Sequence, residues 1–347
     1  MSANVFGSRF SVMTFGESHG AGLGVVIDGC PAGVVFDLST LQRELQRRRP
    51  GSNSVSSQGL VSGRNEADQV EVLSGVYEGR TLGTPIAMLV RNADQRSQDY
   101  HDILNNPRQG HADDVWRDKF LHSDHRGGGR SSGRETVGRV LAGAVAKMLV
   151  TQVAPICDVM GFSYKIGPIT LTEQDYDRLK SGVYHPEDFS ARFPSEAHDE
   201  VRELLIQARA EGESFGGIAE IWVRNPPPSL GQPVFAKFKA TLAQAMMGVG
   251  ATAGVEFGLG FSSASEAGTQ FHSEEFQQTQ YGGIRGGITT GEPISFKVAF
   301  KPTSSILDVA KKGRHDPCIV IRAIPVLEAM TWLCLADHLL WSRQDRV

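Results

Sequence analysis

Two histidines lie in short segments whose composition suits proton transfer to a bound ligand. His19 lies within residues 16–20, GESHG, where the flanking glycines let the backbone approach a ligand closely. His111 lies between Arg108 and Asp113, within reach of a guanidinium and a carboxylate. Imidazole titrates near neutral pH and can donate a proton to a leaving group. A histidine taken alone more often has a structural role.

Arginine and glycine are concentrated in residues 126–135, RGGGRSSGRE, just before a predicted helix. Backbone N–H groups and the helix dipole attract anions there, and arginine adds bidentate contacts to phosphate or carboxylate. Residues 47–49 are three further arginines, and residues 301–305 read KPTSS. The arginine run is also compatible with an exposed helix face, and KPTSS with a structural turn. We therefore predict an anion site around residues 126–135.

Asp316 lies just before the predicted C-terminal helix, in a segment that also holds an arginine and a histidine, and it can serve as a base. Histidines, an aspartate and many arginines together fit acid–base chemistry on a multiply anionic ligand. His122 and His125 flank Asp124, but no third and fourth ligand follows at a metal-binding spacing. We therefore predict no metal site.

The elements that position these residues follow from apolar periodicity and end signals. Helices are predicted over 136–150, 197–211, 234–247 and 324–341. Strands are predicted over 25–27, 86–90, 218–223 and 294–300. Ser132 and Glu135 have the spacing of a capping box ahead of the first helix. Only the polar residues 51–63 resemble a linker.

Two pairs of segments match in the same order along the chain. The matched segments are residues 17–33 with 213–228, and 81–86 with 289–294. They predict a duplicated αβ unit, folded as pseudo-symmetric halves, with chance similarity as the alternative. We expect one α+β domain over residues 1–347, in which antiparallel sheets and helices pack in layers.

Composition excludes several classes of protein. The 347 residues are 40% apolar and 21% charged, with a net charge of -4, which argues against disorder and against wholesale nucleic-acid binding. The N-terminus lacks a signal-peptide layout, and no run reaches the roughly 18 uncharged apolar residues of a membrane helix. We expect a soluble, cytoplasmic protein without a membrane or nucleic-acid partner. The four cysteines form no CxxC pair and are expected to be buried.

Four segments resemble the signatures of the chorismate synthase family, in the family's order. They are residues 16–20, 110–113, 130–136 and 314–317. Further similarity lies in residues 47–51, 73–76, 84–86 and 301–305. The resemblance extends from about residue 7 to about residue 340.

The resemblance implies a homotetramer of one-domain β-α-β sandwich subunits that bind reduced FMN (FMNH2). The implied reaction is that of a carbon–oxygen lyase acting on phosphates. It is an anti-1,4-elimination that converts 5-enolpyruvylshikimate 3-phosphate to chorismate, the last common step of the shikimate pathway to aromatic amino acids, without net redox change. A substrate with a phosphate and two carboxylates explains arginines concentrated in an acidic protein. Bacterial-length members mostly rely on an external flavin reductase, so we expect such a partner.

Residue roles are carried over by motif match. The resemblance implies that His19 protonates the departing phosphate, His111 stabilises the reduced flavin, and Asp316 acts through the flavin as a base. The implied substrate-binding residues are Arg48, Arg134 and Arg314. The implied FMN-binding residues are Arg130, Ser131, Ser132, Gly250, Ala251, Gly286, Lys301, Pro302, Thr303, Ser304, Ser305 and Arg314.

Four positions depart from the family pattern. Ser54 replaces an arginine, which puts substrate or NADP contact from that loop in doubt, and Arg64 is a candidate replacement. Gln109 replaces a proline, and Gly250 and Ala253 replace an asparagine and a lysine. A catalytically decayed member therefore stays an alternative.

Two other classes remain as alternatives. An FMN-dependent oxidoreductase acting on a multiply anionic substrate would use the same arginines, although no Rossmann fingerprint is present. An RNA-binding protein would use residues 43–49, although no aromatics are interleaved with them.

Overall fold

The computed structural model describes residues 3–49, 55–57, 59–61, 68–92, 107–273, 280–307 and 316–345. The strands in these ranges are β1 (Val5–Phe6), β2 (Ser11–Phe15), β3 (Gly22–Asp28), β4 (Val70–Ser74), β5 (Val76–Tyr77), β6 (Arg80–Thr81), β7 (Ile86–Arg91), β8 (Asp158–Ile166), β9 (Ile169–Thr170), β10 (Gly217–Arg224), β11 (Thr252–Phe257), β12 (Ile284–Arg285), β13 (Ile288–Thr289) and β14 (Ile294–Phe300). The α-helices are α1 (Leu38–Arg48), α2 (Asp113–Phe120), α3 (Thr136–Val153), α4 (Glu173–Lys180), α5 (His198–Glu211), α6 (Phe238–Met247), α7 (Gly268–Phe271) and α8 (Val320–Ser342).

Two five-stranded antiparallel sheets enclose a layer of helices. The first sheet has the strand order β1-β2-β3-β7-β4, and the second has the order β11-β14-β10-β8-β9. Helix α3 packs on β3 of the first sheet, and α8 packs on β8 and β10 of the second. Because α3 and α8 also pack on each other, the layers are sheet, helices and sheet. This mixture of helices and sheets confirms the predicted α+β class.

The central helices α3 and α8 approach each other closely at a glycine. A Cβ atom added to Gly143 of α3 would overlap the Cβ atom of Ala329 in α8, so only glycine permits this crossing. Two helical stretches, Gly133–Val153 and Val320–Ser342, are long and apolar enough to cross a membrane by length and composition alone. Their most apolar windows are 72% and 94% buried inside the protein, as expected for core helices.

Most predicted elements are confirmed, and two helices begin elsewhere. The helix predicted from residue 234 begins at Phe238, because residues 234–237 form a loop in which Phe235 is 93% exposed. The C-terminal helix begins at Val320, so Pro325 lies inside it. Proline has no N–H to donate to the carbonyl four residues earlier. Arg192 supplies the missing donor, because its Nη1 hydrogen-bonds to the Ile321 carbonyl oxygen.

The matched segments contain or lead into strands that are neighbours in each sheet. β3 pairs with β7 in the first sheet, and β10 pairs with β14 in the second. All four cysteines are buried thiols, as predicted. Burial raises the pKa of Cys30 to about 11 and that of Cys157 and Cys318 to about 12, so these groups stay neutral.

Candidate active site

His19 lies in the tight turn that joins β2 to β3. Gly20 donates its N–H to the Glu17 carbonyl at 3.0 Å and closes the turn. Gly16 precedes the turn with a φ of 92°, a backbone conformation suited to glycine. The His19 side chain is packed against Gly127, since a Cβ atom there would lie 2.6 Å from its Nε2 atom.

The three glycines 127–129 adopt left-handed conformations, with φ values of 63°, 81° and 52°. This backbone bends around the His19 turn, and the Ser18 N–H donates to the Gly129 carbonyl at 3.4 Å. The Ser18 hydroxyl is buried and has no hydrogen-bond partner within the described residues. Buried polar atoms are nearly always satisfied, so a ligand oxygen is a natural partner for this hydroxyl.

His111 is held by two charged neighbours, Asp113 and Arg108. Its Nδ1 lies 2.7 Å from Asp113 Oδ1, and Arg108 Nε donates to Asp113 Oδ2 at 2.8 Å. Although burial raises the pKa of Asp113, hydrogen bonds from His111 and Arg108 outweigh it and hold that pKa well below its usual range. A Cβ atom at Gly128 would lie 3.3 Å from His111 Cε1, which brings both histidines to the same glycine turn.

The segment 301–305 is attached to the His111 loop. Lys301 Nζ donates to the Gly110 carbonyl at 2.6 Å, and Ser304 Oγ donates to the same oxygen at 2.9 Å. The Lys301 backbone N–H donates to the Ala251 carbonyl at 3.1 Å, which brings residues 250–251 to the same place. Ala251 has a φ of 67°, uncommon for a residue with a side chain.

Asp316 joins this segment to the end of helix α1. Thr303 Oγ1 donates to the Asp316 backbone carbonyl at 3.1 Å, and Arg322 Nη1 lies 2.8 Å from Asp316 Oδ2. Arg322 Nε also donates to the Arg48 backbone carbonyl at 3.5 Å. The carboxylate of Asp316 thus lies beside the arginine run of α1.

Two buried arginines share the carboxylate of Asp68. Arg134 Nη1 lies 2.6 Å from Asp68 Oδ1, and Arg48 Nη1 lies 3.6 Å from Asp68 Oδ2. Arg48 Nε donates to Thr136 Oγ1 at 3.0 Å, so helix α3 also orients it. Arg48 is 1% exposed and Arg134 5%, which rules out the alternative of an exposed helix face for Arg48.

Asn92 connects Arg134 with the turn that carries His19. Its Oδ1 accepts from Arg134 Nη2 at 3.2 Å, and its Nδ2 donates to the Ser18 and Gly20 carbonyls at 3.1 and 2.9 Å. These contacts, together with the chain links between adjacent residues, form a closed circuit that we call the site ring. The ring runs through His19, Gly127, Gly128, His111, Gly110, Lys301, Ser304, Thr303, Asp316, Arg322, Arg48, Asp68, Arg134 and Asn92, and returns to the His19 turn.

The predicted residues of the arginine–serine segment contact the ring and the strand that precedes the His19 turn. Arg130 donates to the Gly16 carbonyl at 3.0 Å and to Thr14 Oγ1 at 2.6 Å. Ser131 Oγ donates to the Gly128 carbonyl at 2.6 Å. Ser132 caps the short 3-10 helix that precedes α3, and its Oγ accepts the Arg134 N–H at 3.3 Å.

Other predicted site residues are not members of the ring or cannot be compared with it. Pro302 packs against Gly216, and Ser305 is buried nearby. Gly286 lies apart from Gly250. Its neighbour Gly287 accepts the Phe238 N–H at the start of α6, whereas Gly250 follows the end of that helix. The two glycines are therefore separated by about the length of a ten-residue helix, about 15 Å. Arg314, Ser54 and Arg64 lie outside the described residues.

Two further observations concern motifs of the sequence. Glu135 does not complete a capping box, because its carboxylate pairs with Arg139 Nε at 3.0 Å. Asp124, between the two histidines of the rejected metal site, instead pairs with Arg126 at 2.8 Å. Across the ranges the structure describes, no three His, Cys, Asp or Glu side chains converge on a metal-sized space.

Sequence reasoning missed three members of the ring: Asp68, Asn92 and Arg322. Each of these residues contacts its partner because the fold brings separate segments together, and none of them lies in a recognisable short motif. The available signal for Asn92 was a polar residue directly after strand β7. Arg322 lies one turn after the motif that contains Asp316.

Comparison with known proteins gives a consistent result. A family model described as chorismate synthase matches residues 10–340. The chain is 63% identical to the chorismate synthase of Bdellovibrio bacteriovorus over the full length of both proteins. It is 42% identical to that of Synechocystis sp., over 97% of each chain. A solved crystal structure of chorismate synthase superposes with a TM-score of 0.76 at 31% identity, covering 97% of this chain and 93% of the other.

Proposed function

Because the chain belongs to the chorismate synthase family, we propose that its site ring binds 5-enolpyruvylshikimate 3-phosphate and eliminates phosphate from it to form chorismate. The chain is then a carbon–oxygen lyase acting on a phosphate-bearing substrate, in the pathway to aromatic amino acids. The observation that carries the site assignment is the closed circuit itself. It joins two histidines, two carboxylates and buried arginines that are far apart in the sequence.

Arg48 and Arg134, with Arg314, would bind the phosphate and carboxylates of this substrate. Burial lowers the local dielectric and strengthens each charge interaction. Asp68 contacts the guanidinium groups of both Arg48 and Arg134 and thereby fixes the distance between these two charges. A substrate with three anionic groups is matched by such a cluster, whereas a neutral substrate is not.

The reaction breaks the bond from carbon to the phosphate oxygen and one carbon–hydrogen bond, and it forms a new double bond. Phosphate leaves with the bonding electron pair, and His19 would donate a proton to it. The hydrogen on the substrate's carbon ring departs as a proton. The Asp316 carboxylate would hold a proton on that side of the substrate. Arg322 orients Asp316, and Asp113 orients the His111 imidazole.

The family uses a flavin cofactor, and we propose reduced FMN. The donor set fits such a ligand, because Lys301, Ser304, Ser131 and Ser132 supply an ammonium and hydroxyls, and the Ser18 hydroxyl is buried without a partner in the described residues. Gly250, Ala251, Thr303 and Arg130 would complete the contacts. When bound, reduced FMN supplies electron density to the substrate while phosphate leaves, with no net redox change.

The proposal extends to the assembly and its surroundings. A homotetramer is supported by Gly286, which is remote from the ring of its own chain, and by the exposed Val234 and Phe235 nearby. The paired strands of the two sheets support a duplicated unit within one domain. We further propose a cytoplasmic protein that depends on an external flavin reductase.

The test is anaerobic turnover with chemically reduced FMN, in which phosphate, chorismate and flavin absorbance are followed together. Equal yields of both products with the flavin still reduced are expected. His111→Ala and Asp316→Ala should slow turnover by about 10²–10⁴-fold, the usual contribution of a positioned acid or base. His198→Ala and Asp199→Ala, a remote pair at the start of α5, are the matched controls. Stoichiometric flavin oxidation would favour the oxidoreductase, and a folded, FMN-binding protein without product would overturn the proposal.

A further inference from the structure

The side chain of Asn92 contacts both the turn that carries His19 and the guanidinium of Arg134. Its Nδ2 lies 3.3, 3.1 and 2.9 Å from the carbonyl oxygens of Glu17, Ser18 and Gly20. Its Oδ1 lies 3.3 Å from Arg134 Nε and 3.2 Å from Arg134 Nη2. One side-chain amide thus fixes both groups at once.

Chemistry alone determines how this amide is oriented. Backbone carbonyls only accept hydrogen bonds and a guanidinium only donates them, so the nitrogen must face the turn and the oxygen must face Arg134. A carboxylate at position 92 would lack the donor, and an apolar side chain would lack both functions. Glutamine would carry the amide one methylene too far.

The backbone of Asn92 gives this contact a rigid base. The residue directly follows β7, and its N–H donates to the Ala21 carbonyl at 3.2 Å, just before β3. Since β3 and β7 pair along their length, the amide is carried by the first sheet. The sheet thereby sets the separation between the His19 turn and Arg134.

We infer that Asn92 is a positioning residue that fixes the proton donor His19 relative to the substrate-binding Arg134, an inference that rests on the proposed function. Asn92 acts through these two groups. A misplacement of about 1 Å between reacting groups can cost about 100-fold in rate, so a contact that sets their separation has a measurable effect.

Two variants separate the donor from the acceptor function. Asn92→Asp keeps an oxygen for Arg134 but turns a carboxylate towards three carbonyl oxygens, which releases the His19 turn. Asn92→Ala removes both contacts. Asn225→Asp is the matched control, because Asn225 Nδ2 also donates to a backbone carbonyl, that of Ile156, at a remote surface site.

The experiment measures kcat and KM for 5-enolpyruvylshikimate 3-phosphate with reduced FMN, together with the thermal unfolding midpoint. For Asn92→Asp, kcat should fall about 10- to 100-fold while KM stays within about threefold, since only the turn is displaced. For Asn92→Ala, kcat should fall similarly and KM should rise about tenfold, the effect of about one lost hydrogen bond to a charged group. Asn225→Asp should match the wild type in both constants.

The outcomes are distinguishable. Wild-type kcat in both Asn92 variants overturns the inference, and so does a purely structural pattern in which the unfolding midpoint falls but the kinetic constants do not change. An equal rise of KM in both variants overturns it as well, because the turn and Arg134 would then not be held separately. A wild-type protein that forms no chorismate overturns the proposed function and this inference together.

Discussion

Lys301 donates from its ammonium to the carbonyl oxygen of Gly110 at 2.6 Å, so the loop that carries His111 is fastened to the end of strand β14. The two residues are 191 positions apart in the sequence. Ser304 donates to the same oxygen, and the Lys301 N–H reaches Ala251. Lys301 therefore connects three segments: the His111 loop, residues 250–251 and its own segment, residues 301–305. The proposed function assigns these segments to flavin binding and to the role of His111.

We expect Lys301→Ala to weaken FMN binding and to release the His111 loop. A hydrogen bond from a charged donor contributes about 1.5–3 kcal/mol, which corresponds to a rise in Kd of about 10- to 100-fold. Titration of FMN into the protein measures this change. Lys297→Ala is the control, because Lys297 lies on the same strand with its ammonium over the Tyr164 ring. Equal FMN affinity in the two variants would contradict the prediction.

Gly127→Ala should nearly abolish turnover. A Cβ atom at this position would lie 2.6 Å from His19 Nε2, and the φ of 63° is unfavourable for any side chain. Displacement of the imidazole should lower kcat by about 100-fold or more. Gly133→Ala is the control, because a Cβ atom there meets nothing within 4 Å. Comparable kcat values for the two variants would show that His19 does not need its observed position.

The carboxylate of Glu187 pairs with the arginine run, and its ionisation makes the stability of the protein depend on pH. Its carboxylate lies 2.8 Å from Arg47 and 3.1 Å from Arg192. Although burial raises its pKa, the two guanidinium groups outweigh burial and lower that pKa to about 2. A lowered folded-state pKa stabilises the protein above the unfolded value of about 4.3, and this contribution is lost as pH falls towards 2.

Glu187→Gln should therefore lower the free energy of unfolding at pH 7 by up to about 3 kcal/mol, with a smaller difference at pH 3. Urea unfolding at both pH values and at one protein concentration measures this difference. Glu196→Gln is the control, because the Glu196 side chain is 81% exposed and its pair with Arg178 contributes little. A difference that stays constant from pH 7 to pH 3 would contradict the assigned cause.

Local sequence signals predicted most of the helices and strands. Strand 294–300 is confirmed residue for residue, and the helix that ends at Gly212 ends there because this glycine adopts a left-handed conformation. These signals act within a few residues of the chain, which is why a single sequence carries them.

The remaining features depend on contacts between distant segments. Pro325 signals a helix end, yet the helix continues because Arg192 reaches the Ile321 carbonyl from another part of the chain. Similarly, Asp68 has no motif, and its role follows only from the two guanidinium groups that the fold brings to it. Partners of this kind cannot be predicted from periodicity or spacing.

Asp113→Asn tests the orientation of His111 directly. The change keeps the size of the side chain but removes the charge that holds both His111 and Arg108, and one amide group cannot accept from both in the same way. We expect kcat to fall about 10- to 100-fold, as for loss of a group that orients a catalytic histidine, with little change in KM. Asp114→Asn, at the adjacent exposed position of α2, is the control and should retain wild-type kcat. If Asp113→Asn raised KM and left kcat unchanged, the carboxylate would be acting on substrate binding, and the role proposed for His111 would be wrong.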